Sequence, residues 1–103
     1  MQRIGFLLKV KADRLDEYKE RHRHVWPEML QALSEAGWHN YSLFLAKDGQ
    51  LFGYLETDDF EAAVARMAQT DVNARWQADM APFFDSGSAD TSLVQLEHVF
   101  YLE

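Results

Sequence analysis

The sequence predicts an α+β fold: a single antiparallel sheet with helices packed on one face. Three observations carry this. Apolar residues alternate near both ends of the chain and on either side of a central Asp-Gly pair. Between these stretches they recur at intervals of three and four. The resulting order is strand, helix, strand, strand, helical region, strand, a split βαβ pattern. At 103 residues the chain is expected to form one domain over residues 1–103, with no room for a second core.

Arg3 to Val10 reads as the first strand, with Ile4, Phe6, Leu8 and Val10 on one side. Leu7 interrupts the opposite side, which suggests that both faces are partly covered. Asp13 can cap a helix whose apolar stripe runs through Leu15, Tyr18, His22, Val25, Met29 and Leu33. Pro27 lacks an N–H and should kink that helix or restart it after Trp26, and Gly37 should close it. Trp38 to Leu45 and Gln50 to Glu56 read as a hairpin about Asp48-Gly49, a type I′ signal. Asp58 or Asp59 can cap a second helix through Met67. Thr70 or Asp71 can cap a third, bearing Val72, Trp76, Met80 and Phe83 and ending near Pro82. Asp85 to Ser92 is a polar loop, expected to be the most mobile segment, and Leu93 to Leu102 reads as a long last strand.

A sheet covered by helices on one face leaves the other open. Here that face would carry Phe44, Phe52, Tyr54 and Phe100. Apolar residues make up 48% of the chain and aromatics 14%, too much bulky material for so small an interior. A second copy is therefore expected to cover the open face as a two-fold homodimer.

The formal charge of −7, from 17 acidic and 10 basic residues, argues against nucleic acid or an anionic membrane as partner. Cysteine is absent, which removes disulfides, thiolate nucleophiles and thiolate metal sites. No apolar run approaches the ~20 residues of a membrane span, and the N-terminus has no signal-peptide pattern, so the cytoplasm is the expected location. His22 and His24 lie two apart, which on a helix turns them about 200° from each other. His39 and His98 have no spacing that suggests a first coordination shell, so no metal site is expected. Glycine-rich nucleotide loops and a Gly-x-Ser-x-Gly elbow are missing as well.

General acid–base chemistry survives these exclusions. Tyr18 and His22 stand one helical turn apart on the inward face, a phenol beside the side chain that titrates near neutrality. Two buried residues with satisfied hydrogen bonds would show the same spacing. Tyr41 can bring a second hydroxyl from the second strand, and Trp76 can wall the cavity or simply fill the core. Trp26 and Trp38 read as structural. Glu28 is either a first-turn acid or a partner for His22. Arg21, Arg23 and Arg75 flank these segments.

The blocks Glu17-Tyr18-Lys19-Glu20-Arg21-His22 and Val25-Trp26-Pro27-Glu28-Met29 resemble the N-terminal signature of the L-rhamnose mutarotase family. The resemblance continues through His39-Asn40-Tyr41-Ser42, Thr70 to Gln77, and Val99-Phe100-Tyr101-Leu102, in order and at matching spacing. It implies a dimeric α/β barrel of ferredoxin-like subunits, each holding a neutral monosaccharide. It also implies cofactor-free interconversion of the α and β anomers of L-rhamnose, or of a closely related deoxysugar, by ring opening and closure. Carried over by position, the proton donor falls on His22 and the sugar-binding residues on Tyr18, Tyr41, Trp76 and Gln77. Some members have a second tryptophan where this chain has Gln77, and an amide there would replace ring stacking with a hydrogen bond to a hydroxyl.

Two rivals remain open at the level of sequence. The same architecture houses small monooxygenases and haem-degrading enzymes, in which His22 or His39 would bind a haem or, without a cofactor, activate a quinol-like substrate. A non-catalytic sugar-binding module would use Tyr18, Tyr41 and Trp76 for binding alone.

Overall fold

A computed structural model describes residues 1–84 and 93–103. Strands β1 (Gln2–Lys9), β2 (His39–Leu45), β3 (Gln50–Thr57) and β4 (Val94–Leu96) form one sheet in the order β2-β3-β1-β4. Every pairing is antiparallel. Helices α1 (Leu15–Arg23), α2 (Pro27–Glu35), α3 (Phe60–Ala68) and α4 (Asp71–Met80) complete the ferredoxin-like α+β arrangement.

Side-chain alternation decides which face the helices cover. Ile4, Phe6 and Leu8 of β1 and Leu51 and Leu55 of β3 are buried in the core, together with Met29, Met67, Val72, Trp76 and Met80 from the helices. The opposite face carries Leu7, Phe52 and Tyr54, and Phe44 stands across from Phe52 on β2. Phe44 is 60% exposed, so among the described residues this part of the second face is left uncovered. At Gly53 the absence of a side chain leaves room for the buried ring of Phe6, which occupies the place a Cβ would take.

Pro27 interrupts the first helical segment completely. Trp26 is held extended by the proline that follows it, and α2 restarts with Pro27 at its first turn. Gly37, at φ 95°, ends it. Asp13 does not cap α1. It lies inside a short 3-10 turn, Ala12–Arg14, which moves the start of the helix one residue on and leaves Arg14 at the N-cap without a side-chain capping bond. The other two caps are Asp59, whose carboxylate accepts from Ala62 N, and Thr70, whose hydroxyl accepts from Asn73 N.

The hairpin turn is not type I′, because Gly49 takes a positive φ but Asp48 does not. Ala46 to Gly49 instead closes through Gly49 N to Ala46 O at 3.0 Å and Ala46 N to Gln50 O at 2.8 Å. The last strand is far shorter than alternation suggests and covers only Val94–Leu96. Beyond it Val99, Phe100 and Leu102 are 75–83% exposed, so pairing there would bury nothing and does not hold. The expected mobile loop Asp85 to Ser92 lies outside the described residues.

Candidate active site

A cavity of about 340 Å³ opens between the helical layer and the inner face of the sheet, within the range of small-ligand pockets. Its walls include His22, Trp38, Tyr41, Asn73, Trp76 and Gln77. A smaller arm of about 60 Å³ shares His22, Tyr41, Trp76 and Gln77 and reaches Tyr18. Tyr18, His22, Tyr41, Trp76 and Gln77, singled out in the sequence, therefore meet in one hollow. They come from α1, β2 and α4.

Helical spacing puts His22 directly above Tyr18, with ring centroids 4.3 Å apart and planes tilted by 34°. On its other side the imidazole meets the Trp76 indole nearly edge-on, at 5.6 Å and 86°. Trp76 is itself braced by Trp26 at 5.1 Å, so the histidine is held between two aromatic neighbours. Its Nδ1 lies 3.0 Å from the backbone oxygen of Tyr18. A carbonyl only accepts, so Nδ1 carries the hydrogen and Nε2 is left with its lone pair.

Burial lowers the His22 pKa from its ordinary 6.5, with the bond to the Tyr18 carbonyl partly opposing this. The resting imidazole is therefore neutral at neutral pH and a proton acceptor. Tyr18 is buried, and desolvation raises its phenol pKa, so it keeps its proton. Phe83 and Phe84 pack their edges against the Tyr18 ring.

Gln77 donates from Nε2 to Asn73 Oδ1 at 3.3 Å, one turn earlier on α4. Its own Oε1 is buried and has no hydrogen-bond partner. A buried amide oxygen without a donor is an unsatisfied acceptor at the wall of the cavity.

The charged residues near these segments turn elsewhere. Arg21 pairs with Asp79, Arg23 with Glu20, and Arg75 with both Asp71 and Glu28. Glu28 is thus no partner of His22: it faces solvent and ties α2 to α4 through Arg75. Among the described residues, no group of three or more His, Asp or Glu gathers as a metal site would require.

Trp38 and Asn73 line the cavity without having stood out as site residues. Asn73 could have been found, since it precedes Trp76 by three and Gln77 by four on α4. Trp38, which reads as structural, donates from Nε1 to Ala63 O while its ring lines the cavity. Among the described residues, no helix is long and apolar enough to cross a membrane.

The L-rhamnose mutarotase family model matches residues 3–102. A curated L-rhamnose mutarotase of Oceanobacillus iheyensis is 42% identical over 105 aligned positions, with both chains covered in full. The crystal structure of an L-rhamnose mutarotase from Formosa agariphila superposes with a TM-score of 0.82 at 30% identity, again over the whole of both chains. A crystal structure titled antibiotic biosynthesis monooxygenase reaches a TM-score of 0.58 at 18% identity, covering 96% of this chain and 99% of its own, and shares the fold alone.

Proposed function

The chain belongs to the L-rhamnose mutarotase family, and from this premise we propose how its residues interconvert the α and β anomers of L-rhamnose. The enzyme is an isomerase, and its reaction is a relocation of one hydrogen with a bond rotation between. The anomeric hydroxyl loses its proton, the ring C–O bond breaks, and the ring oxygen is protonated. The open aldehyde turns about its C1–C2 bond and closes again by the reverse steps.

One observation carries the assignment of His22: Nδ1–H is engaged by the Tyr18 carbonyl, so Nε2 is the nitrogen left to work. The neutral ring takes the anomeric proton as a base. Only then does it become the proton donor that the family signature implies. The ring oxygen is bonded to the same carbon as the anomeric oxygen, so one imidazole can serve both in turn. Tyr18 and Tyr41 hold the sugar hydroxyls and steady the charge that develops. Trp76 lies against the apolar face of the pyranose, and Gln77 Oε1 accepts from a hydroxyl. The aliphatic wall of Val25, Met29 and Leu33 receives the C6 methyl.

The active unit is a homodimer of single-domain subunits, each spanning residues 1–103, in the cytoplasm. Support comes from the uncovered face bearing Phe44, Phe52 and Tyr54 and from the exposed apolar side chains of Val99, Phe100 and Leu102. Saturation-transfer NMR on mixed anomers tests the reaction. Catalysed exchange of L-rhamnose, above that of a deoxysugar panel, is expected. Binding that leaves exchange at its solution rate would reduce the protein to a sugar-binding module.

A further inference from the structure

Asn40 is the one non-glycine residue with a positive φ among the described residues, at 48°. It sits in β2 where the ladder slips. His39 pairs with Glu56 and Ser42 with Tyr54, so Asn40 and Tyr41 together oppose the single residue Leu55. Partners across a ladder point to the same face. His39 shares the outer face with Glu56, and strict alternation from there would send residue 41 outward as well. The extra residue cancels one step. Tyr41 then faces inward beside fully buried Leu55, and its ring meets that of Trp38, the residue just before the strand, at 5.0 Å.

We propose that Asn40 is a positioning residue: its left-handed backbone creates the bulge that turns the Tyr41 phenol into the sugar cavity. Asparagine is suited to this, because its short polar side chain tolerates that region better than other residues with a Cβ. The side chain also pins the bulge on the outer face. Its Nδ2 donates to Glu56 Oε1 at 3.3 Å, while the other oxygen of Glu56 accepts from the Tyr54 hydroxyl at 3.0 Å. The role for Tyr41 rests on the reading under Proposed function, whereas the bulge does not.

The test uses the intact chain labelled with 3-fluorotyrosine, the Tyr41 signal being identified by its loss in Tyr41→Phe. Asn40→Val resists the left-handed backbone, and Asn40→Gly keeps it while losing the bond to Glu56. The valine variant is expected to raise KM for L-rhamnose about tenfold with a smaller change in kcat. Its Tyr41 fluorine signal should move in the sugar-free protein and stop responding to sugar. The glycine variant should stay within about threefold of the parent in KM and keep both fluorine signatures.

A valine variant with lowered Tm but parental KM and fluorine signals would overturn the proposal, as would a glycine variant equally impaired. Where the valine variant does not fold, Asn40→Ala carries the same readouts. If Tyr41→Phe and Tyr41→Ala leave KM unchanged, Tyr41 is no sugar ligand. The sugar-free fluorine shift then still decides for or against the bulge.

Discussion

The ring of Phe6 occupies the space above Gly53 that any side chain at that position would need. Phe6 is among the most deeply buried residues and lines the cavity, with its centroid 6.3 Å from that of Tyr41. Packing and site geometry therefore meet at one glycine. Gly53→Ala should push Phe6 out of its place and cost about 1–3 kcal/mol of stability. Thermal unfolding with and without L-rhamnose checks this, and an unchanged Tm would show that the ring can yield freely.

Replacing His22 by Asn should leave the fold intact and slow catalysed anomer exchange by roughly 10²–10⁴. Saturation transfer at fixed enzyme concentration measures it directly. Near-parental exchange would remove the imidazole from the mechanism.

The pH dependence has a definite sign. Because burial holds the His22 pKa below 6.5, kcat/KM should fall on the acid side with a midpoint under that value. Stability should move the same way. The unfolded chain binds this proton more readily than the native one, so stability declines as pH drops from 6.5 through the lowered native value, and this contribution is constant above 6.5. Both trends should vanish in the His22→Asn variant. An acid limb centred above 6.5 would mean that another group governs the reaction.

Phe44 and Phe52 form an aromatic pair on the open sheet face, 6.2 Å between centroids. Phe44→Glu would place a charge on the proposed dimer face and should yield monomers at concentrations where the parent is dimeric. Sedimentation velocity separates the two. A parent that sediments as a monomer would place Phe44, Phe52 and Tyr54 outside any interface.

The helices of this protein are legible from spacing, because Tyr18, Met29, Trp76 and Met80 bury one side of their helices much as their intervals suggest. Spacing also places Tyr18 and His22 on one helical face and Trp76 on another, whereas Tyr41, only a hydroxyl on the second strand by itself, and Gln77 join the candidate site through the family signature. Four features were not legible. Asp13 looks like a cap but falls within a 3-10 turn. Asp48-Gly49 suggests a two-residue turn, yet only its glycine takes a positive φ. The last strand stops at Leu96 because alternation records which side chains want burial, not whether one chain supplies the cover. The bulge at Asn40 left no mark on the pattern, since an inserted residue shifts alternation without changing composition.

The acceptor that orients His22 belongs to the main chain, and this gives the enzyme a freedom that a side-chain partner would deny it. No point mutation can delete a peptide oxygen. A substitution at position 18 that keeps the helix therefore changes the side chain beside the imidazole, while the tautomer four residues on survives for as long as the helix does. If position 18 sets the grip on the sugar as proposed, substrate preference can change there without disturbing the nitrogen proposed to move the proton.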